Sequence, residues 1–501
     1  MTTAIDRQRD LSNKTYDVLV VGGGIVGAGI VRDAALRGLR AALVEKSDFA
    51  SGTSSRSSRL LHGGLRYLAQ GRIGMVREAS KEKRVIHRIA PHLTQPLPFL
   101  FPTHQGSSWP RWKLWLGTKV YDLLCGGKNL GRSRLLSPDD LRKQLPQIAD
   151  QGLTGGVRYY DGLTNDARLV VDTLRSARRH GAAIENYVEL LDARRDRQQW
   201  SCRLKDRLTE AEIQVTSRSI VNATGPWSDR LPHSSTSLRL TKGVHLVINR
   251  SRLPVPDAVV LPDQDRILFA IPWGDRLILG TTDTDYDGPL ESPRCETSDL
   301  TYVLDVVNRY FPAADLRPED VAATWAGLRP LVADRRGNPS DISRRHEITQ
   351  AKPGWWDVTG GKLTTYRLMA EELLDQLVRD LGMAARPCRT ADQPLLTAEE
   401  TGAYSGIIPP PVTVEAVRHY CDNEWAVHLG DVMIRRTSWR YYEDDHHQIA
   451  TRVARWMAER FSWDDSAIHK ELDHYQNTVS ENKKGDRYIF TVSWAGRAGG
   501  S

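Results

Sequence analysis

Three glycines near the start of the chain, Gly22, Gly24 and Gly27, have the spacing G-x-G-x-x-G. In a nucleotide-binding turn the first makes the tight turn, the second lets a pyrophosphate approach the backbone, and the third lets helix and strand pack closely. Glu45 stands about 20 residues further on, where an acidic residue binds ribose hydroxyls. Because no arginine directly follows Glu45, the pattern favours an adenosine with a free 2′-hydroxyl, as in FAD or NAD rather than NADP.

A hydroxyl- and glycine-rich stretch after Glu45 helps to choose between these two cofactors. It runs over Ser47–Ser58 and is followed by the turn His62–Gly64. Such a stretch can wrap a long cofactor whose flavin lies far from its adenine, although a mobile surface loop has the same composition. Two later segments also contain glycines at the ends of predicted elements. Asn222–Trp227 follows a predicted strand, and Thr359–Thr365 precedes a predicted helix, whose N-terminus can bind an anion or a dipole. Together they favour FAD.

A βαβ unit at the start of the chain must position these residues. Tyr16–Val21 is a short β-rich run, Ile25–Gly38 has helical spacing, and Arg40–Glu45 returns as a second strand. This order implies a parallel sheet with helices on its faces. Asp166–Arg179 also has the spacing of an amphipathic helix. Further β-rich runs are Ile184–Leu190, Ile213–Val215, Ser219–Asn222, Val244–Asn249 and Arg276–Gly280. Their position between pieces of an α/β frame predicts two interleaved domains.

The composition is that of an ordinary globular chain, with 501 residues, 40% hydrophobic and 26% charged. A net charge of +7 is modest for this length and suits anionic small molecules or an acidic membrane surface at least as well as nucleic acid. The five cysteines are scattered without a CxxC pair, which predicts neither a disulfide framework nor a metal site and favours a reducing compartment. No signal peptide or long apolar run is apparent, so we expect a protein that is intracellular and soluble or bound to a membrane surface.

Eight motifs, in order along the chain between Tyr16 and Arg367, resemble those of the FAD-dependent glycerol-3-phosphate dehydrogenases. They are VVGGGIVGAGIVRDAALRGL, FASGTSSRSSRLLHGGLRYL, TNDARLVV, VNATGPW, KGVHLVI, IPWGDRLILGTTDTDY, GLRPL and TGGKLTTYR. HGGLRYL, GTTDTDY and GGKLTTYR are specific to that family rather than to flavoproteins at large. Asp422–Thr437 resembles the family's C-terminal cap, whereas Ala398–Thr413 is shorter than the family's pattern. Without a calcium-binding loop after the cap or a long oxidase-type insertion, the bacterial dehydrogenase form is favoured.

The resemblance implies a fold of class α/β, in which a Rossmann-like FAD-binding domain is interleaved with a mixed α+β substrate domain and followed by a C-terminal helical cap. We predict that the FAD-binding domain comprises residues 1–90, 166–240 and 336–385, and the substrate domain residues 91–165 and 241–335. Residues 386–411, with the Pro409–Pro411 run, are predicted as a linker, 412–494 as the cap and 495–501 as a disordered tail.

The reaction implied by the resemblance is the oxidation of sn-glycerol 3-phosphate to dihydroxyacetone phosphate. Hydride passes from C2 to the flavin N5, a base takes the C2 hydroxyl proton, and the electrons leave to a membrane quinone. Such a site requires cations for a phosphate dianion, a base of near-neutral pKa and a group that stabilises the reduced flavin anion.

The resemblance also assigns roles to individual residues. His245 is the catalytic base, since imidazole titrates near neutral pH, and Arg329 grips the phosphate or polarises the C2 oxygen. Without the resemblance, His245 would be interpreted as a buried structural histidine and Arg329 as part of a surface salt bridge. Further substrate contacts are implied for Arg66, Tyr67, Arg344 and Lys362. A cation at Lys362 would also stabilise the reduced flavin near N1.

The residues implied to bind FAD are Gly22, Gly24, Gly27, Glu45, Thr53, Ser54, Ser58, His62, Gly63, Gly64, Val188, Gly225, Lys362 and Leu363. Val188 is expected at the adenine pocket, because a strand there would bring its backbone to the purine. His62 could equally be structural. No metal site is predicted.

A Trp-rich segment, Trp109–Leu124, carries the cations Arg111, Lys113 and Lys119. A helix of this kind either lies in the headgroup layer of an anionic membrane or packs within the substrate domain, and the sequence leaves both open. Because a quinone-linked enzyme needs a membrane surface, we expect a cytoplasmic protein peripherally attached to the inner face of the cytoplasmic membrane. A homodimer is expected, without a nucleic-acid partner.

Two other functions remain open at this point. The first is an FAD-dependent amine or amino-acid oxidase of the same fold, although the predicted cluster of cations argues for a phosphate. The second is an FAD-containing RNA-binding protein, suggested by the pI of about 9.1 and by the pairs Arg435-Arg436 and Lys483-Lys484. Such a protein would show a strongly salt-dependent affinity for RNA. The dispersed positive charge argues against it.

Overall fold

A computed structural model of the protein describes residues 11–480, except 13, 70, 108, 126–128, 265 and 333–345. Its strands are β1 (Thr15–Val21), β2 (Ala41–Glu45), β3 (Leu60–Leu61), β4 (Thr94–His104), β5 (Arg134–Leu136), β6 (Leu153–Thr164), β7 (Ala183–Asn186), β8 (Val188–Asp196), β9 (Gln199–Asp206), β10 (Glu212–Asn222), β11 (Leu238–Asn249), β12 (Ala258–Asp263), β13 (Arg266–Trp273), β14 (Arg276–Gly280), β15 (Thr284–Asp285), β16 (Val321–Val332), β17 (Glu347–Lys352) and β18 (Trp355–Thr359).

The α-helices are α1 (Ile25–Leu36), α2 (Leu65–Ala69), α3 (Ile73–Ile89), α4 (Arg111–Leu124), α5 (Pro138–Gln144), α6 (Asp166–Arg179), α7 (Thr297–Tyr310), α8 (Tyr366–Asp380), α9 (Ala398–Thr401), α10 (Val414–Asn423), α11 (Trp439–Tyr442), α12 (His446–Phe461) and α13 (Asp465–Ser480). A π-helical turn spans Asp431–Arg436. Among the described residues, no helix is long and apolar enough to cross a membrane.

The first sheet has five parallel strands at its centre, in the order β18-β10-β1-β2-β7. β17 extends it at one edge, and β8 and β9 form an antiparallel extension. Nearly every residue of β1 is buried, as expected of a strand covered on both faces. Helix α1 packs against α6 and α8. The βαβ unit predicted from the sequence therefore lies at the centre of this domain.

The second sheet is largely antiparallel and contains the other ten described strands. Its strand β11 pairs with β14 on one side and β16 on the other, in a register that puts His245 opposite Gly280 and Trp325. Strands β4 and β6 form a long antiparallel pair in the same sheet. The two sheets receive alternating stretches of the chain, and they meet where Thr53, in the stretch after β2, donates to the Leu328 carbonyl of β16 at 2.6 Å.

The C-terminal helices α10, α12 and α13 share a core of their own, which includes the buried Trp439 and Met457. Buried ion pairs attach this unit to the first domain. Arg168 of α6 binds Glu424 through two nitrogens, at 2.5 and 2.8 Å, and Asp48 accepts hydrogen bonds from Arg435 and Arg436. The cap and the nucleotide-binding domain are therefore joined by charges that are removed from water.

Part of the stretch 386–411, predicted as a linker, is integrated into the first domain. Leu395 and Leu396 are buried in its core, and the Leu395 N–H donates to the Ile89 carbonyl at 2.8 Å. The guanidinium of Arg32 also donates to the Gln393 carbonyl at 2.6 Å. The predicted tail, 495–501, lies outside the described residues.

Several predicted elements have different bounds in the structure. The strand predicted at Ile184–Leu190 is interrupted at Tyr187, whose φ of +56° separates β7 from β8. The two runs predicted at 213–215 and 219–222 form one strand, β10. The polar residues between the runs continue its alternation, with Ser217 buried and Thr216 and Arg218 partly exposed. The helix predicted at Asp166–Arg179 is observed with those bounds, and the Asn165 side chain caps it by accepting from the Arg168 N–H.

Candidate active site

The glycine-rich turn joins β1 to α1 at the carboxyl edge of the first sheet. Gly22 has a φ of +113°, and a Cβ there would lie 2.6 Å from the Ala223 carbonyl oxygen. A Cβ on Gly27 would lie 1.9 Å from the Gly22 oxygen. Side chains are therefore excluded from both positions, and the N-terminus of α1 faces the edge of the sheet where a pyrophosphate would lie.

Glu45 and Ser54 lie beside this turn. Glu45 accepts hydrogen bonds from the Gly23 N–H at 2.7 Å and the Ser47 N–H at 2.9 Å. Ser54 Oγ accepts from the Ile25 N–H, the first residue of α1, at 3.0 Å. It would lie 3.2 Å from a Cβ placed on Gly24. The acid predicted to bind the ribose and the turn predicted to bind the pyrophosphate thus adjoin each other, an arrangement that fits the adenosine diphosphate half of FAD.

Two other residues predicted to contact FAD lie at or just beyond the ends of strands in the first sheet. Gly225, with a φ of +59°, follows β10, and a Cβ there would meet no atom of the described residues within 4 Å. Val188 starts β8, and its side chain is buried in the core behind the sheet, so only its backbone is available to a purine. The adjacent Tyr187 N–H donates to the Ser47 carbonyl at 3.0 Å, which places this backbone next to the strand that ends in Glu45.

Two adjoining cavities open between the sheets. The smaller, of about 240 Å³, contains Thr53 and Gly361 from the nucleotide-binding side and His245 and Arg329 from the second sheet. The larger, of about 510 Å³, is lined by aromatic side chains of the second domain and by polar and charged ones such as Asp161 and Arg266. Both cavities are lined by Leu60, His62, Phe269, Thr281 and Arg329. The predicted base and cations therefore lie where a substrate could meet a cofactor bound along the first domain.

His245 lies on β11 and is 2% exposed. Its Nε2 shares a 2.7 Å hydrogen bond with Ser58 Oγ, and its ring stacks on Trp325 with centroids 5.3 Å apart. Burial, together with the positive charges of Arg329 and Arg59, lowers the pKa of His245 to about 3. The imidazole is therefore neutral at physiological pH and can accept a proton. Its pKa lies well below the near-neutral value that the sequence analysis expected of the base, because burial disfavours the imidazolium.

Arg329, on β16, is held by the loop that follows β14. Its guanidinium donates to Asp283 Oδ1 at 3.0 Å, to Thr281 Oγ1 at 3.0 Å and to the Thr282 carbonyl at 3.2 Å. A Cβ on Gly243 would lie only 2.3 Å from Arg329 Nη2, so a glycine at that position makes room for the guanidinium. These contacts fix the direction of the charge while the group still lines both cavities.

Lys362 lines the smaller cavity and contacts Tyr67, which lines the larger one. The Lys362 Nζ lies 3.7 Å from the centroid of the Tyr67 ring, a distance typical of a cation–π contact. Leu363 follows Lys362 and packs partly against the core of the first domain. His62, which lines both cavities, donates its backbone N–H to Thr364 Oγ1 at 3.2 Å. The structure thus joins the HGG and GGK motifs, which are far apart in the sequence.

Four residues predicted to bind FAD have an evident structural role in the protein itself. Ser58 binds the catalytic-base candidate His245, as described above, and Thr53 Oγ1 donates to the Leu328 carbonyl of β16 at 2.6 Å. Gly63 packs against Tyr121, since a Cβ there would lie 2.3 Å from its hydroxyl. Gly64 has a φ of +77° and allows the chain to turn into α2. Contacts within the protein therefore explain why Ser58, Thr53 and Gly63 stand at these positions. The prediction that these residues bind FAD stays untested.

Two predicted substrate residues lie at or beyond the limits of the description. Arg66 belongs to α2, but its side chain is outside the described part, and Arg344 falls within the undescribed residues 333–345. The sequence analysis did not single out Arg56, which lines the smaller cavity, or Asp283, which holds Arg329. Arg56 stands in the hydroxyl-rich stretch and Asp283 in the GTTDTDY motif, so both were within segments already identified.

Two family models match successive parts of the chain. Residues 17–376 match the model of the FAD dependent oxidoreductase family, and residues 369–468 match the C-terminal domain of alpha-glycerophosphate oxidase. The chain is 40% identical over 396 residues to the aerobic glycerol-3-phosphate dehydrogenase of Staphylococcus aureus strain USA300. That alignment covers 76% of this chain and 71% of the relative.

Solved structures show the same fold. The glycerol-3-phosphate dehydrogenase from Bacillus halodurans, complexed with FAD, is 29% identical with a TM-score of 0.79, over 98% of this chain and 100% of that one. The L-alpha-glycerophosphate oxidase from Mycoplasma pneumoniae, with FAD bound, is 17% identical with a TM-score of 0.58, over 77% and 100%, and supports the fold alone. The predicted α/β fold class and the FAD cofactor are confirmed. The chain belongs to the FAD-dependent oxidoreductases and, among them, to the family of the FAD-dependent glycerol-3-phosphate dehydrogenases.

Proposed function

We propose that the protein oxidises sn-glycerol 3-phosphate to dihydroxyacetone phosphate, with bound FAD supplying the hydride acceptor and a membrane quinone receiving the electrons. The observation that carries the proposal is the smaller cavity, which His245, Arg329 and Lys362 line together with the nucleotide-loop residue Thr53. One base and three cations, Arg56 being the third, around a cavity of about 240 Å³ suit a small, doubly charged phosphate ester better than a neutral amine.

His245 is the residue that accepts the C2 hydroxyl proton. Its neutral imidazole can accept a hydrogen bond from the hydroxyl, and Ser58 holds the ring by the 2.7 Å contact to Nε2. The stacked Trp325 fixes the plane of the ring. Since burial disfavours the imidazolium, the proton must be passed on or stabilised by the negative charge of the bound substrate.

Arg329 and Lys362 bind and orient the substrate. The Arg329 guanidinium is already directed by Asp283 and Thr281, so little side-chain entropy is lost when a phosphate or alkoxide oxygen binds it. Lys362 stands over Tyr67 at the end of the GGK loop, where its ammonium adds positive potential to the same cavity. The two cations thus enclose the anion from different domains.

The proposal is tested by adding sn-glycerol 3-phosphate to the purified, FAD-loaded protein without oxygen. Rapid loss of the visible flavin absorbance is expected, with dihydroxyacetone phosphate as the product. Glycine and sarcosine should leave the absorbance unchanged. Bleaching by either amine, and none by the phosphate ester, would instead identify an amine or amino-acid oxidase.

The proposed membrane surface is the outer face of α4. Trp112, Leu116 and Leu123 are 69%, 59% and 75% exposed, and their spacing puts them on one side of the helix. Lys113 and Lys119 flank this apolar ridge. The other two tryptophans of the segment, Trp109 and Trp115, are partly buried and pack against the core of the second domain. An apolar ridge with flanking cations is typical of a helix that lies on an anionic bilayer.

Co-sedimentation with vesicles tests this surface. Wild-type protein should pellet with vesicles that contain anionic lipid, and the double variant Trp112→Glu, Leu116→Glu should remain in the supernatant. Leu208→Glu is the matched control, because Leu208 is also an exposed leucine (39%) and lies on another part of the surface. Equal sedimentation of both variants would contradict the membrane proposal.

The remaining proposals concern the acceptor, the location and the assembly. A quinone analogue should reoxidise the reduced enzyme faster than oxygen does. Fractionated cells should hold the protein on the inner face of the cytoplasmic membrane, and sedimentation velocity should give a homodimer. Support for the first two comes from the exposed ridge of α4, while the dimer rests on the family resemblance alone.

A further inference from the structure

A buried hydrogen-bond network lies directly behind the turn that carries His62. It consists of Tyr121 of α4, Asp161 of β6 and Lys83 of α3, all of them buried. Tyr121 Oη donates to Asp161 Oδ1 at 2.5 Å, and Lys83 Nζ donates to the same oxygen at 2.7 Å. The buried charges of Asp161 and Lys83 balance each other, and the carboxylate oxygen accepts hydrogen bonds from both Lys83 and Tyr121. This network fixes the position of the phenol.

The network ends on the backbone of Gly63. The Gly63 N–H donates to Tyr121 Oη at 2.9 Å and makes a longer contact with Asp161 Oδ1 at 3.3 Å. No side chain fits between them, since a Cβ on Gly63 would lie 2.3 Å from the phenol oxygen. The backbone of the turn therefore rests directly on the Tyr121 hydroxyl.

The turn itself faces the two cavities, and Asp161 of the network also lines the larger of them. His62 lines both of them and is bound through its N–H to Thr364, and the Tyr67 ring lies under Lys362. Gly63 stands between these contacts in the chain. Its fixed position therefore determines where His62 and the start of α2 project, while Tyr121 itself lines neither cavity.

We infer that Tyr121, fixed by Asp161 and Lys83, is a positioning residue for the substrate-binding turn His62–Tyr67. The inference rests on the proposed function, because it concerns the same site. A turn held in place before the substrate arrives loses less entropy on binding, so the phenol should contribute to substrate affinity without touching the reacting atoms. Since Tyr121 belongs to α4, the turn is also tied to the helix that presents the apolar ridge.

The test uses full-length, FAD-loaded Tyr121→Phe, which keeps the ring and removes only the hydroxyl. The KM for sn-glycerol 3-phosphate should rise about tenfold while kcat changes by less than about twofold, the pattern of lost ground-state binding. Amide hydrogen exchange of the peptide that covers residues 62–67 should become faster. The matched control is Tyr310→Phe, which removes the hydrogen bond from Tyr310 to the Pro262 carbonyl and should change neither measurement.

Unchanged KM and unchanged exchange in Tyr121→Phe would overturn the inference, as would equal changes in both phenylalanine variants. The exchange experiment needs no turnover. If wild-type enzyme fails to oxidise sn-glycerol 3-phosphate, the proposed function fails, whereas faster exchange at residues 62–67 in Tyr121→Phe alone would still support the positioning role.

Discussion

Substitution of Gly243 by alanine should displace Arg329 and add only one methyl group to the wall of the smaller cavity, which Gly243 also lines. The added Cβ would lie 2.3 Å from Arg329 Nη2, 2.7 Å from its Cζ and 2.7 Å from Thr281 Oγ1. Gly243 lies in the middle of β11, paired with Gly327 of β16, so its backbone cannot move easily. The end of the arginine side chain must move instead, because it is the most flexible of the groups in conflict.

The size of the effect follows from the contacts that Arg329 would lose. A charged hydrogen bond contributes about 1.5–3 kcal/mol, which corresponds to a fall of roughly 10- to 150-fold in kcat/KM if the guanidinium no longer reaches the substrate. The folded state loses the bonds to Thr281 and Thr282, but the group is partly exposed and water replaces them in part. We therefore expect a loss of stability of only about 1 kcal/mol.

We would measure the Gly243→Ala variant by steady-state kinetics with sn-glycerol 3-phosphate, by its FAD content and by thermal unfolding. The matched control is Gly74→Ala in α3, where an added Cβ meets no atom of the described residues within 4 Å. That variant should keep wild-type kinetics and gain a little stability from the helix propensity of alanine. If Gly243→Ala kept its kcat/KM within about twofold, either Arg329 would not bind the substrate or the strand would yield instead.

Three further outcomes are expected. His245→Asn should lower kcat by about 10²- to 10⁴-fold with FAD retained. The pKa of His245 is lowered to about 3 in the folded state and is about 6.5 in the unfolded state. The free energy of unfolding of the wild-type protein should therefore decrease as the pH falls below about 6.5, and urea titrations should show a smaller decrease in the variant. Glu424→Gln removes one of the two carboxylates that Arg168 binds, the other being Asp172 at 2.9 Å, and should cost about 1.5–3 kcal/mol in urea unfolding, while an equal midpoint to wild type would refute the role of this pair. Glu45→Ala removes the carboxylate predicted to bind the ribose and should weaken FAD binding about tenfold or more, measured by flavin fluorescence; retention of full affinity would contradict the assignment.

Local patterns were sufficient for much of the first domain. The glycine spacing, the acidic residue at the end of β2 and the apolar run of β1 predicted a nucleotide-binding βαβ unit, and the helix Asp166–Arg179 was predicted to the residue. These features depend on neighbours within one turn or one strand, so they are visible in the sequence. Tyr187, by contrast, interrupts a predicted strand through a positive φ that its residue type does not indicate.

The environment of the site was decided by contacts between residues far apart in the chain. Ser58 and His245 are 187 positions apart, and the hydroxyl predicted to contact FAD holds the imidazole in the structure. Motif resemblance identified His245 and Arg329, but neither the lowered pKa of the imidazole nor the clamp of Asp283 on the guanidinium follows from residue type. The Tyr121 network likewise joins two helices and a strand. The sequence alone determined which local units form and which groups can do chemistry. Only the tertiary structure decided which of those groups meet and what charge they carry, because burial and pairing depend on how the two sheets and the cap pack together.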